Sequence, residues 1–311
     1  MKIAFQMDPI TAVDINADSS FRLAEEAQAR GHSLFHYLPE HLAYEEGTIT
    51  ARGSDMVVQR GEEPHAELGP EKHVDLATFD VLWLRQDPPF DMHYITATHL
   101  LERLKDRVLV VNNPFWVRNC PEKLLVLDFA QLAPPTTIAR DLRTLRAFRE
   151  KYGDVIVKPL YGNGGAGVFY LGRRDSNLAS LHELFTSTSR EPLIVQKFLP
   201  EVVRGDKRVI LVDGVAVGAI NRVPAQGETR SNLHVGGRAE PAMLSARDHA
   251  ICAAIGPRLR DRGLIFVGID VIGEYLTEIN VTSPTGVQEL ERFDKVNIAA
   301  RIWQTIEAQL A

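Results

Sequence analysis

The sequence predicts an α/β protein whose C-terminal part becomes α+β. Three observations carry that prediction. In the first third, short apolar runs alternate with helix-periodic segments, the pattern of a parallel sheet with helices on both faces. Further on, apolar runs meet through Gly-bearing turns, the pattern of antiparallel hairpins. A length of 311 residues and a hydrophobic content of 45% supply a large core, enough for two or three subdomains.

The elements follow in order. KIAFQM (2–7) reads as the first strand, ending at Asp8-Pro9. Residues 19 to 30 have helical periodicity, with Asp18 or Ser19 as N-cap and Gly31 as terminator. HSLFHYL is the second strand, and His32, His36 and His41 read as surface residues of that strand and its loop. Residues 45 to 73, polar and Gly/Pro-bearing, read as a hairpin followed by a surface loop. VLWLR (81–85) and VLVVNN (108–113) are strands, with a helix from about 91 to 105 between them. A helix opens near Pro121 and runs to about Ala130. After the break Ala133-Pro134-Pro135 come the strand TTIAR, a helix over 141–151 and the strand DVIVKPL (154–160). The Gly-rich YGNGGAGV leads into the strand VFYLG, a helix near 177–187 and the strand LIVQKFL. Asp213-Gly214 turns KRVILVDG into VAVGAINRV. Residues 224–238 are polar and Gly-rich, a long loop of the kind that often serves as a lid. A helix over 245–262, the strands LIFVGIDVI and YLTEINV, and a helix over about 291–309 complete the chain.

Composition excludes several classes of function. A net charge of -6 argues against a general nucleic-acid binder. Cys120 and Cys252 are far apart and outside any CxxC, so neither a disulfide framework nor a thiolate metal site is indicated; both read as small buried residues. The apolar part of the N-terminus is too short for a signal peptide, and no apolar run approaches the ~20 residues that span a bilayer. A cytoplasmic protein without membrane or nucleic-acid partners is expected. The ten histidines form no HxxH pair, and GxSxG and a GxGxxG after the first strand are both lacking. A serine nucleophile or a dehydrogenase is therefore poorly supported.

Four features carry chemistry. First, Asp270, Glu278 and Asn280 lie in two apolar strand-like runs joined by a short turn. A carboxylate in an apolar strand is costly unless paired or holding a metal. Two carboxylates and an amide oxygen suit Mg²⁺, which keeps waters and phosphates as its other ligands. A solvated hairpin with an outward polar face fits that stretch equally well by itself. A regular two-residue turn would send Glu278 to the face opposite Asp270, so a shared metal requires a three-residue turn or a bulge. Second, Lys158 ends a strand and four glycines follow at Gly162, Gly164, Gly165 and Gly167. Glycine lets backbone N–H groups approach phosphate closely, and four exceed what a plain hairpin needs. Third, Lys123, Lys158, Lys207, Arg208, Arg222 and Arg230 supply cations for an anionic ligand, although any one of them reads equally as a solvated surface group. Fourth, Arg85 follows an apolar strand, where α/β sheets place ligand contacts; a salt-bridged surface arginine is the competing reading.

A strand lysine, a Gly-rich hairpin over phosphates and a distal Asp…Glu-x-Asn cluster resemble the ATP-grasp superfamily. Within it, the chain resembles the bacterial glutathione synthetases nearly end to end. The matching stretches include MDPI with DSSF, RQDPPFD, Asn119 to Leu124, VKPLYGNGGAGVF, GDKRVILVDG, GETRSNL with GGRAEP, and GLIFVGIDVIG with LTEINVTSPTG. The resemblance implies an ATP-grasp fold behind an N-terminal parallel-sheet domain, divided as 1–120, 121–200 and 201–311. It implies ATP-dependent ligation of γ-glutamylcysteine to glycine, with Mg²⁺ (or Mn²⁺ in its place) and a homotetramer. By position it gives ATP to Lys123, Lys158, Gly162, Gly164, Gly165, Gln196, Lys197, Phe198, Leu199 and Asp206, with adenine met mostly by backbone. It gives metal to Asp270, Glu278 and Asn280, the acyl phosphate or substrate carboxylates to Arg208, Arg222 and Arg230, and other substrate contacts to Arg85, Ser19 and Ser283. Two departures stand out: Tyr161, where an acidic residue is expected and whose side chain should point away from phosphate, and Lys197-Phe198, which backbone contacts tolerate. The competing readings are another ATP-grasp ligase, of the D-alanine–D-alanine or protein–glutamate kind, and a non-catalytic nucleotide-binding regulator.

Overall fold

In the computed structural model, residues 1–61, 63–228, 230–232 and 236–311 are described. Backbone pairing follows the apolar runs. Strands β1 (Lys2–Gln6), β2 (Ser33–Tyr37), β3 (Leu42–Glu45), β4 (Thr48–Val58), β5 (Ala66–Leu68), β6 (Lys72–Asp75), β7 (Val81–Leu84) and β8 (Leu109–Val111) make the first sheet, in the order β3-β4-β2-β1-β7-β8. The stretch β2-β1-β7-β8 is parallel, as the alternation of strands and helices requires. Residues 45–73 depart from expectation. After the β3–β4 hairpin they form β5 and β6, both antiparallel to β4, instead of a free loop. These are only three and four residues long (AEL and KHVD), and the edge of β4 rather than any apolar pattern of their own sets their pairing. His36 is also corrected: it is buried, with Nε2 3.1 Å from the Asp8 carbonyl oxygen, because its strand is interior to the sheet.

Helix α1 (Ser19–Ala29) starts where the Asp18 carboxylate accepts from the Phe21 N–H at 2.6 Å. Helices α2 (Met92–Glu102) and α3 (Pro114–Asn119) follow; the second, not expected, is opened by Pro114 with Asn113 accepting from Phe115 N and Trp116 N. The helix expected from Pro121 is the short α4 (Glu122–Leu125) and a 3₁₀ turn, Val126–Phe129. The second sheet is antiparallel, β11-β10-β12-β9, from β9 (Thr136–Ala139), β10 (Val155–Pro159), β11 (Phe169–Leu171) and β12 (Leu193–Lys197). Helices α5 (Leu142–Tyr152) and α6 (Leu178–Thr188) close its core around Leu145, Val157, Leu181 and Val195.

The third sheet, β15-β14-β13-β16-β17, comprises β13 (Asp206–Val212), β14 (Val215–Val223), β15 (Arg238–Ala242), β16 (Phe266–Ile272) and β17 (Tyr275–Asn280). The expected turn at Asp213-Gly214 is present, with φ of 49° and 73°. Helix α7 (Ala246–Asp261) begins with a capping box, Ser245 with Asp248. The single final helix expected is two, α8 (Val287–Asp294) and α9 (Ile298–Leu310). Lys295 turns left-handed between them (φ 56°), and Asn297 caps the second through Ala300 N. The first and third sheets share their apolar core: Trp83 of β7 packs edge-on against Phe266 of β16 at 6.5 Å and against Trp303 of α9 at 5.8 Å. The second sheet keeps a separate core, so the cleft opens between it and the third. Among the described residues no helix is long and apolar enough to cross a membrane.

Candidate active site

The β16–β17 hairpin has a two-residue turn, with Ile272 opposite Tyr275 and Val271 opposite Leu276. Pairing then skips Thr277, and Asp270 stands opposite Glu278. This bulge is what puts both carboxylates on one face. The Thr277 hydroxyl secures it by donating to the Asp270 carbonyl oxygen at 3.1 Å. Register extends the polar face across the sheet. Arg208 pairs with Asp270 and Asp206 with Arg222 as cross-strand neighbours. Lys207, one residue out of phase, points the other way and pairs with Asp248.

These charges form one buried network. Arg208 holds Asp270 through Nε at 2.5 Å and Nη2 at 3.2 Å, and Arg222 reaches Asp270 at 2.9 Å and Asp206 at 2.6 Å. Burial alone would raise the Asp270 carboxyl, but the two guanidiniums hold it well below the usual carboxylate range. Asp206, with Arg222 offset by the charge of Asp270, is pushed by burial up to about 6. Glu278 faces two lysines: Lys158 at 3.1 Å and Lys123 at 3.8 Å. They outweigh its burial and keep it below the ordinary value.

The Gly-rich segment joins β10 to β11 as a hairpin, with Val157 opposite Phe169. The Gly162 carbonyl accepts from Lys123 Nζ. Gly165 has φ +81°, and a Cβ there would sit 2.7 Å from the Asn232 side-chain oxygen. Arg230 Nη1 lies 3.5 Å from the Gly165 carbonyl, and the Ser231 hydroxyl donates to Asp206 at 3.1 Å. The expected lid at 224–238 therefore rests on the Gly-rich loop through residues 230–232, while residues 229 and 233–235 lie outside the described residues. Its end is trimmed, since Arg238 begins β15.

One cleft of about 890 Å³, mouth included, collects Lys123, Lys158, the glycines 162, 164 and 165, residues 196–199, Asp206, Arg230, Asp270 and Glu278. At its far wall the Lys197 and Phe198 amides already donate to the Pro135 and Asp154 carbonyls, so those two N–H groups are not free for adenine. Asn280 is buried opposite Gly268, and its amide nitrogen has no partner among the described residues. Asp270, Glu278 and Asn280 together offer oxygen donors of the kind a hard divalent cation takes. Among the described residues no group of three His, Cys, Asp or Glu side chains is placed to hold a metal.

The expected substrate residues group elsewhere, where the first sheet meets the segment after β17. Arg85 is buried, with Nε donating to the Ser20 hydroxyl at 2.9 Å, Nη1 to the Pro284 carbonyl at 3.1 Å, and its guanidinium over the Phe266 ring at 5.5 Å. Ser283 donates to Asp87 at 3.0 Å, and the Ser19 hydroxyl is fully buried with no partner among the described residues. Tyr161 turns away from the phosphate end and stacks on Phe90, ring centres 6.0 Å apart. Sequence reasoning missed Ser20 and Ser231, although each adjoins a residue it singled out.

Comparison with known proteins agrees with this geometry. Residues 1–118 match the N-terminal domain of prokaryotic glutathione synthetase, and residues 122–295 match the ATP-grasp domain of the same family. Glutathione synthetases from Mesorhizobium japonicum and Brucella melitensis are 57% and 55% identical, each over 99% of both chains. That of Salmonella typhimurium is 43% identical over 100% of this chain and 99% of its own. Among solved structures, D-cycloserine synthetase DcsG superposes with a TM-score of 0.70 over 100% of both chains at 18% identity. The ATP-grasp ligase PsnB, complexed with minimal precursor, Mg and ADP, gives 0.63 over 99% and 98% at 18% identity. The structures share the ATP-grasp fold, and the full-length sequence matches go further: the chain belongs to the prokaryotic glutathione synthetase family.

Proposed function

We propose that the chain is an ATP-dependent ligase that joins γ-glutamylcysteine to glycine, giving glutathione, ADP and phosphate. The observation that carries this reading is the convergence of Lys123 and Lys158 on Glu278, with Asp270 across the hairpin, at the end of a Gly-rich loop. A carboxylate is a poor electrophile toward an amine. Transfer of the γ-phosphoryl group of ATP to the cysteinyl carboxylate gives an acyl phosphate with a good leaving group. The amine lone pair then attacks the carbonyl carbon, the C–N bond forms, and the C–O bond breaks with its electrons leaving on phosphate.

The residues divide the work. Lys123 and Lys158 offset charge on the transferring phosphoryl group. Backbone N–H groups of the Gly162, Gly164 and Gly165 region cradle phosphate, and the 196–199 segment meets adenine. Asp270, Glu278 and Asn280 would hold Mg²⁺, which supplies further charge neutralisation when bound. Arg208 and Arg222 keep Asp206 and Asp270 ionised in place. Arg230 and its loop cover the reactive intermediate and keep water from it. Arg85, Ser19 and Ser283 hold the γ-glutamyl substrate. The division into 1–120, 121–200 and 201–311, a homotetrameric assembly and a cytoplasmic setting belong to the same proposal; light scattering tests the assembly.

The test is ADP release across a panel of dipeptides and amines, with products identified by mass. Turnover restricted to γ-glutamylcysteine with glycine is expected. Preference for D-alanine or a glutamate acceptor would replace this reading with that of another ligase, and nucleotide binding without turnover would make the chain a regulator.

A further inference from the structure

The second sheet keeps its own core, so its place against the rest of the molecule depends on contacts across the cleft. At the phosphate end three of these are polar: Lys123 Nζ with the Gly162 carbonyl, Lys158 with Glu278, and Arg230 with the Gly165 carbonyl. Each uses a group assigned above to phosphate, metal or cover, so a bound nucleotide competes for it. A fourth contact is apolar. The Phe90 and Tyr161 rings stack with centres 6.0 Å apart and planes 29° apart.

The two rings belong to different parts of the fold. Phe90 lies with its ring 5.2 Å from that of fully buried Tyr94, and it packs against the core that the first and third sheets share. Tyr161 follows buried Leu160 and precedes Gly162, at the root of the Gly-rich loop. Both sides of the stack continue into the site. On one side, Gly162 is the residue that Lys123 holds. On the other, Pro89 and Pro88 lead back to Asp87, which accepts from Ser283 at 3.0 Å. Arg85, two residues earlier, donates to Ser20 and to the Pro284 carbonyl. Proline rings fix φ over the stretch from Asp87 to Phe90, so a displacement at Asp87 reaches Phe90 with little slack. The rings also line one small pocket with Lys123, Gly162 and Thr282. The stack therefore stands between the phosphate loop and the segment assigned to the carboxylate substrate.

We propose that the Phe90–Tyr161 stack couples the two substrate sites, so that γ-glutamylcysteine and ATP each tighten the hold on the other. The assignment rests on the ligase reading above. A ligand that orders one loop presents a fixed ring to the other loop, which lowers the cost of ordering that one in turn. Neither ring touches the reacting atoms, so Phe90 and Tyr161 are positioning residues. The phosphate loop is then seated best when the carboxylate to be phosphorylated is in place, which disfavours phosphoryl transfer to water.

The test measures the dissociation constant of a non-hydrolysable ATP analogue with Mg²⁺, first without and then with saturating γ-glutamylcysteine. In the unaltered protein the second value should be lower by about 2- to 12-fold, the scale of one aromatic pair. Tyr161→Ala should bring the ratio near one while leaving the first value little changed. Tyr161→Phe, which keeps the ring, should retain the ratio. Phe90→Leu, which keeps apolar bulk against Tyr94, should lose it, and the double variant should lose no more than either single one. Thermal melts check that each variant folds. A ratio that survives Tyr161→Ala, or equal weakening of both values, would overturn the proposal by making the stack merely structural. A ratio of one in the unaltered protein would overturn it too. Glutathione formed by the unaltered protein is measured alongside. Its absence would sink the ligase reading itself, whereas glutathione formed without coupling would sink only the role of the stack.

Discussion

Replacing Lys158 by Met removes one charge while keeping most of the stem. In the structure Lys158 Nζ lies 3.1 Å from Glu278, and the two side chains are 10% and 20% exposed. Breaking a fully buried pair costs on the order of 3–5 kcal/mol. Here Glu278 keeps an edge in solvent and retains Lys123 at 3.8 Å, so a loss of about 1–2 kcal/mol is expected, a fall in melting temperature of several degrees. The effect on catalysis should be larger. The charge lost is one that strengthens its hold as negative charge moves onto the transferring oxygens, and removing such a contact lowers kcat by about 10²–10³. KM for ATP should change less than kcat, because the contact acts mainly in the transition state. The assay is ADP release at saturating substrates beside thermal melts of the same preparation. A folded variant with near-normal kcat would refute the role given to Lys158.

Three further outcomes follow from the geometry. Arg222→Met leaves Asp206 and Asp270 short of a buried partner, so urea titration should show a loss of about 3 kcal/mol; a loss below about 1 kcal/mol would show that the network does not stabilise the sheet. Gly165→Ala places a methyl 2.7 Å from the Asn232 oxygen at a φ of +81°, so the covering loop should seat poorly and ADP should be released in excess of glutathione, whereas unchanged coupling would separate the loop from protection of the intermediate. His36 is buried, and burial holds its pKa below the ordinary value. The unfolded chain therefore binds a proton that the native state refuses. The stability this residue contributes is complete above about pH 6.5 and is lost as pH falls below it, by up to ~1.4 kcal/mol per pH unit. His36→Gln should flatten that part of the stability curve between pH 7 and pH 5, and identical curves would contradict the burial argument.

Much of this site was legible because chemistry-bearing residues sit at strand ends and in turns. Lys158 ends an apolar run, Gly162 to Gly167 break the next, and Asp270 and Glu278 interrupt two runs that otherwise want a core. The hairpin shows where local reading stops. Alternation required a three-residue turn or a bulge, but whether Thr277 is skipped depends on its hydroxyl reaching the Asp270 carbonyl, a tertiary choice. The arginine network was less visible. Asp206, Arg208, Arg222 and Asp270 become partners only through the registers of three strands. Segments β5 and β6 escaped because their pairing is imposed by the edge of β4. The break between α8 and α9 escaped because Lys295 adopts a left-handed conformation that no glycine announces.

The central claim is that a carboxylate of the substrate is phosphorylated before the amine attacks. Label both oxygens of the cysteinyl carboxylate of γ-glutamylcysteine with oxygen-18, supply ATP and glycine, and read the released phosphate by mass spectrometry. The account predicts one labelled oxygen in each phosphate, in step with glutathione formed. Phosphate free of label, with both heavy oxygens absent from it while glutathione accumulates, would contradict it.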